Sequence, residues 1–356
     1  MARFNLTRRS LLGGLAASAC VARPWRAAAQ GEGPKGNPAE PQAIQVNARA
    51  LPHFHPGRPG TKRFGNLEYR GGVVLSSPST SFCEWSGLVI DGNGKRLLAV
   101  SDVGSWMSAD VTYSEEGAPT GLARALIGPL LDQHGRPLDD KRDRDAESIA
   151  LVDGSTERGT FLIGFEREHR IGRFEVRNGH VLAPTAHLQL PPDADRLLPN
   201  AGFEAVAVLQ AGPLKGSPVA FAERLPGGDG YHTGWIWVEG QPRRILLRDI
   251  DGFDITDAAG LPDGGLLILE RYFRMGADGR KDQRMRIRRL QAKELESGAR
   301  MTGHTVAEAD SDYEIDNMEG LAVHAGASGE TVVTLLSDDN LNPAQRTLFL
   351  QFTLRA

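Results

Sequence analysis

Apolar residues along this chain fall in short runs rich in Val, Ile, Leu and Phe, and the runs end in turn chemistry such as Asp91-Gly92-Asn93-Gly94 and Pro262-Asp263-Gly264-Gly265. That pattern predicts strands joined by hairpins. Three hairpins carry an acidic residue at the start of the first strand and another 19 positions later, closing the second: Glu147 and Glu166, Glu204 and Glu223, Glu319 and Asp338. Two looser copies run from Ser86 to Asp102 and from Ala259 to Glu270, with Asp257 two residues before the latter. Carboxylates opposed across a ladder repel, so a chain that repeats the arrangement needs cations to offset it. The one stretch of helical character, Arg288 to Arg300, is too polar for a core helix and reads as an excursion between strands.

The first-strand positions Ser86, Glu147, Glu204, Ala259 and Glu319 recur at intervals of 61, 57, 55 and 60 residues, enough for four strands and their loops. Units of roughly 40 to 60 residues with four strands predict an all-β propeller, whose radial repetition protects the sheet edges. The count gives five blades, or six if Ala43 to Leu75 forms an irregular one. After the last hairpin the chain supplies one more strand, Thr347 to Leu354, so Asn66 to Leu75 is expected to complete that blade and tie the N-terminal segment to the C-terminal one.

In a propeller the innermost strands line the channel, so equivalent repeat positions converge on one mouth. Glu147, Glu204 and Glu319 are the candidate catalytic carboxylates. Asp102, Glu166, Glu223, Glu270, Asp338 and Asp339 are the candidate metal ligands, and Asp338-Asp339-Asn340 with Asn342 is the densest oxygen cluster. Oxygen-rich, flexible sites suit Ca²⁺, with Mg²⁺ or Mn²⁺ next; no HExxH or CxxC spacing for zinc occurs. The loop Asp143-Arg144-Asp145-Ala146-Glu147 reads as solvated, with a ligand at its end. Arg167, Arg170, Arg224 and Arg271 are candidate substrate-binding residues, because a guanidinium recognises phosphate in a bidentate way. Three of them directly follow an acid and point to the opposite face of their strand, within reach of the adjacent blade's acid. His169 and His232 read as solvated loop side chains. The competing structural reading has the acids capping backbone N–H groups of the next blade or pairing with these arginines.

Thr7-Arg8-Arg9-Ser10-Leu11-Leu12, an apolar stretch to Ala22 too short to span a bilayer, and Ala27-Ala28-Ala29 mark Met1 to about Ala29 as a twin-arginine export signal. Residues 30–42 read as a flexible linker and 43–356 as the propeller domain. Removal of the leader takes away five arginines and leaves 36 basic against 45 acidic residues. An acidic mature chain argues against nucleic acid as a partner. It retains one cysteine, Cys83, and so no internal disulfide. The expectation is a periplasmic or secreted protein, delivered by the twin-arginine machinery, with no stable membrane span after cleavage.

The runs SGLVID with LLAVSD, DAESIAL with IGFEREHRI, LPNAGFEAVAV with FAER, FDITDAAGLPDGGLLILER, DNMEGLAV and LLSDDNLNPAQRTLFLQF resemble the phytase-like domain family, over about Phe64 to Leu354. The resemblance implies a bacterial, often exported protein whose repeated acids, here Glu147, Glu166, Glu204, Glu223, Glu270, Glu319 and Asp338, carry a phosphoesterase activity. No RHGxRxP motif occurs, which leaves a metal-dependent, propeller-type mechanism on a small phosphate ester. A non-enzymatic periplasmic binding propeller and a lactonase-like hydrolase are the rival readings.

Overall fold

The computed structural model describes residues 38–223, 225, 230–276, 279 and 281–355. The expected leader, most of the linker and Arg224 lie outside them. Five sheets follow one another, each built on four antiparallel strands, and three of them carry extra edge strands. Blade 1 holds Trp85–Ile90, Arg96–Ser101, Ser105–Tyr113 and Pro119–Pro129; blade 2 holds Ala146–Gly154, Arg158–Phe165, Arg170–Arg177 and His180–His187. Blade 3 holds Phe203–Val208, Pro218–Ala222, Tyr231–Val238 and Gln241–Arg248; blade 4 holds Asp254–Gly260, Leu266–Met275, Lys281–Leu290 and His304–Ala309. Blade 5 takes Asn317–Ala325, Thr331–Asp338 and Thr347–Leu354 from the C-terminal end, and Leu67–Ser76 from the N-terminal end pairs with the last of these.

The segment from Ala43 to Leu75 forms no sixth blade. Gln42–Ala43 extends the outer edge of blade 1, and Asn47–Leu51 extends blade 5 beyond Leu67–Ser76. The polar stretch after Leu290 is an excursion with a single 3-10 turn, Ala292–Glu294, and it returns as Arg300–Met301 to the edge of blade 3. Arg288 is not part of it, because the third strand of blade 4 runs through to Leu290.

The apolar runs are unbroken because both faces of each blade are covered. In Arg96–Ser101, Leu97 and Ala99 pack with Val73, Leu336 and Phe349 of blade 5, whereas Leu98 and Val100 pack with Phe161, Ile163 and Phe165 of blade 2. Strand alternation sends successive residues to opposite faces, and here each face is a seam. Five buried clusters fill the five seams around the circle. The innermost strands come close enough that a Cβ on Gly87 would lie 2.8 Å from the backbone nitrogen of Ile149.

One seam is polar. Glu270, expected among the metal ligands, is fully buried between blades 3 and 4. Arg286 Nε donates to its Oε2 at 2.7 Å and Arg288 Nε at 2.9 Å, and Arg288 also bonds its Oε1. The guanidiniums are satisfied in turn by the carbonyls of Ile250, Arg248 and Thr302 at 2.8, 2.9 and 2.9 Å. Glu270 is a structural anion and not a ligand in the mouth. Glu270→Gln leaves two buried guanidiniums without their counter-charge, and is expected to lower stability by about 3–5 kcal/mol in urea unfolding followed by circular dichroism; a change below about 1 kcal/mol would contradict this account.

Candidate functional site at the acidic mouth

Each innermost strand carries a β-bulge one or two residues in from its start, at Ser86, Glu147, Glu204, Thr256 and Glu319. The extra residue drops out of the ladder and its side chain is re-aimed, here toward the axis. Beside it lies the second-strand residue that follows the partner of the residue just before the bulge. In the five blades these are Asp102, Glu166, Glu223, Arg271 and Asp338, following the pairs Trp85 with Ser101, Ala146 with Phe165, Phe203 with Ala222, Ile255 with Glu270 and Met318 with Ser337. Backbone bonds fix several of them: the N–H of Asp102, Glu166 and Glu223 donates to the carbonyl of Glu84, Asp145 and Gly202 at 3.1, 3.0 and 3.2 Å.

The bulges change the sequence alignment in blade 4. Its repeat position is Thr256 and not Ala259, and the residue that closes the hairpin toward the mouth is Arg271 and not Glu270. Asp257 lies buried beside the bulge and accepts the N–H of Leu321 at 2.7 Å and of Ala258 at 2.8 Å. Thr256 Oγ1 donates to the carbonyl of Met318 at 3.0 Å. Blade 4 thus uses both residues to hold blade 5, which is the structural role weighed for the acids as a whole.

The carboxylates raise one another's affinity for protons. Burial, then Asp102, Glu204, Glu166 and Asp145, push Glu147 well above the usual range. Burial, then Glu223, Glu166 and Glu319, push up Glu204, with Arg271 opposing. Burial and Asp338 raise Asp102 against a hydrogen bond from Ser86. Glu166 is pushed up to about 8 by burial and Asp145, against Arg167. Asp338 is also pushed to about 8, by burial first and then Glu319, Asp339 and Glu84, against the Asn340 N–H. Glu319 is raised by burial, with Arg271 opposing. Asp102, Glu147, Glu204 and Glu319 nevertheless keep a partly exposed edge.

Of the candidate arginines, Arg271 reaches across the seam to Glu319 and Asn317 of blade 5. Arg167, at φ 61°, turns back onto Asp145. Arg170 stays out of the mouth: its guanidinium lies 3.8 Å over the Phe165 ring and bonds the carbonyls of Glu168 and Asp143. Asp339 also serves the backbone, accepting the N–H groups of Glu84 at 3.3 Å and Leu341 at 3.2 Å and the hydroxyl of Thr347. The Asp338–Asn342 cluster therefore offers only Asp338 to the mouth, where it meets Asn317 at 3.2 Å as the paired runs implied. His169 sits edge-on to Phe203, beside Gly202. A Cβ on Gly202 would come within 2.9 Å of Glu166 Cβ, so glycine there leaves room for that acid. His232 is buried in blade 3, 4.0 Å from Asp249, and is not a solvated loop residue.

The residue that sequence left in a solvated loop is Asp145, which a four-residue helix, Lys141–Arg144, N-capped by Asp140, delivers to the mouth. Asp102, Asp145 and Glu147 each offer an oxygen within 4.8 Å of the others. Ca²⁺ takes oxygens at about 2.3–2.6 Å, so three oxygens this close lie near the spacing that a shared cation needs. Charges 4 Å apart interact by about 4 kcal/mol at an effective dielectric near 20. Three ionised carboxylates at this range need a counter-charge, and the one direct contact of Arg167 among the three is with Asp145. The donor set fits a hard divalent cation. The channel's far end differs: a cavity of about 450 Å³ there is lined by Val89, Leu151, Val208, Ala259 and Val323, with Gln210 and His324 at its edge.

Among the described residues no helix is long and apolar enough to cross a membrane. A comparison with curated proteins finds no match. Among solved structures, the β-propeller domain of Myceliophteria thermophila Cps50 (Swd1) aligns at 10% identity, covering 86% of this chain and 99% of that one, with a TM-score of 0.38; the five blades rest on the sheets themselves. The family model Phytase-like, described as esterase-like activity of phytase, matches residues 80–341, which contain every residue of the mouth. The chain therefore belongs to the phytase-like family, whose description supports a hydrolase-like propeller.

Proposed function

We propose that the mouth binds a divalent cation, Ca²⁺ in first place and Mg²⁺ or Mn²⁺ next, and hydrolyses a phosphate ester beside it. The observation that carries this reading is the mutual crowding of Asp102, Asp145 and Glu147 on one side of the mouth. The opposite side already holds a cation of its own, Arg271 on Glu319. A bound divalent cation would offset two of the three carboxylate charges and polarise a phosphoryl oxygen. Glu147, expected as a catalytic base, is better placed as a ligand. Glu204 lies between the two sides, and its proton affinity, raised by burial and by Glu223, Glu166 and Glu319, strengthens it as a proton acceptor once it is ionised. Arg271 faces the same space and stabilises charge that develops on the phosphoryl group. The twin-arginine leader supports action in the periplasm or outside the cell, after export.

A carboxylic ester or lactone is the second reading, favoured by the engagement of both Arg167 and Arg271 with carboxylates of the site. Purified protein with Ca²⁺ is expected to hydrolyse an aryl phosphate, to lose that activity in chelator, and to lose about 100-fold or more of kcat in Glu204→Gln. Turnover of lactones alone selects the second reading. Failure with Ca²⁺, Mg²⁺ and Mn²⁺ on every ester leaves a binding propeller.

The raised carboxyls also predict a pH dependence. Glu166 and Asp338 titrate near 8 when folded and near 4 when unfolded. Between these values the folded state holds more protons, so the stability of the metal-free protein falls as pH rises. Its urea midpoint is expected to be higher at pH 6 than at pH 9, and saturating Ca²⁺ is expected to remove the difference by stabilising the ionised form. A metal-free midpoint that is higher at pH 9 would exclude this picture.

A further inference from the structure

The large exposed hydrophobic side chains among the described residues are Leu190, Leu198, Phe273, Met275 and Leu341. All five lie on the face that carries the acids. Leu190 and Leu198 belong to the connection from blade 2 to the start of Phe203–Val208; Leu341 belongs to the loop after Thr331–Asp338. Phe273 and Met275 sit where the second and third strands of blade 4 run on beyond Arg271 as a projecting ladder, Phe273 opposite Gln283 and Met275 opposite Lys281. None of the five is on the opposite face. Scattered exposed apolar residues need no explanation, but their confinement around one mouth does. Leu341 is also held at φ 51°, a conformation a branched side chain avoids, while remaining exposed.

The charge of the mouth narrows what this rim can meet. Arg167 and Arg271 are both paired with carboxylates, and burial and mutual repulsion already crowd the acids around them. A polyol bearing several phosphates would bring further anions into an acidic ring. A single phosphate beside one divalent cation is far better matched, and the surroundings it meets next are apolar.

We propose that the ester is a singly phosphorylated amphiphile, whose phosphate enters the acidic mouth while its alkyl portion lies on the rim formed by Leu190, Leu198, Phe273, Met275 and Leu341. The assignment rests on the phosphate-ester reading of the same mouth. Hydrolysis adds one water across the P–O bond: the water oxygen bonds to phosphorus, the P–O bond to the alkyl group breaks, and the proton taken up by Glu204 returns to the departing alkoxide. The released alcohol is apolar and leaves along the rim.

The test separates this assignment from the reading beneath it, because it measures binding of non-hydrolysable alkylphosphonates to the Ca²⁺-loaded protein by calorimetry. Octylphosphonate is expected to bind at least roughly tenfold more tightly than butylphosphonate, the gain that burial of even part of four methylenes supplies. Phe273→Ser combined with Leu341→Ser, and separately Leu190→Ser combined with Leu198→Ser, are expected to bring that ratio toward one. These side chains are exposed, so the core is untouched. Equal affinity for the two phosphonates overturns the amphiphile assignment even where aryl phosphate is hydrolysed. Tighter binding of inositol hexakisphosphate than of octylphosphonate overturns it as well. A wild-type dimer in sedimentation that the rim variants convert to monomer would give the rim to a second copy, and rim-dependent capture on phosphatidylcholine vesicles without chain-length dependence would give it to a membrane surface; either outcome overturns the proposal. A chain-length effect in a protein that hydrolyses no phosphate ester upholds the rim as an amphiphile site and removes only the catalytic reading.

Discussion

Five inner strands packed side by side around one axis have room at their ends for very little, and each places a bulged residue at that end. The constraint is steric before it is electrostatic. Gly87 against the backbone of Ile149 shows how near the strands come. Side chains aimed inward by the bulges therefore share one small volume, and the acids among them raise one another's proton affinity. Everything proposed for the mouth follows from that enforced proximity.

Blade 4 breaks the symmetry in a useful direction. At the bulge it has Thr256, whose hydroxyl bonds Met318, and at the hairpin's end it has Arg271. Arg271 neutralises the Glu319 side, so the excess negative charge collects on the other side, at Asp102, Asp145 and Glu147. A ring of five equal acids would spread its repulsion evenly. This ring concentrates it at Asp102, Asp145 and Glu147, and leaves Glu204 between that triad and a guanidinium.

The two faces of the propeller are chemically distinct. The acidic mouth is surrounded by loops that present Leu190, Leu198, Phe273, Met275 and Leu341 to solvent, while the other end of the channel opens into a cavity lined by Val89, Leu151 and Val323. The two longest connections, from blade 1 to blade 2 and from blade 2 to blade 3, fall on the mouth face because each blade's fourth strand ends there. The same topology that gathers the acids thus supplies the loops that frame them.

Much of this was legible in the chain itself. Unbroken apolar runs such as LLAV imply strands covered on both faces, and the spacing of Glu147, Glu204 and Glu319 implies blades and a shared mouth. The strand that closes blade 5 was also readable, from a C-terminal hairpin that lacked a partner. Phase within a strand was not readable, because alternation turns a shift of one residue into a change of face. Glu270 and Arg271 are adjacent, yet the first is sealed in a seam by Arg286 and Arg288 while the second enters the mouth. Only the paired register, with its bulge at Thr256, decides between them. Asp145 was hidden for a related reason: it belongs to no strand, and the helix turn at Lys141–Arg144 and its bond to Arg167 bring it beside Glu147. Sequence fixes which side chains exist and how often they recur, whereas the bulges and loop ends decide which of them face one another.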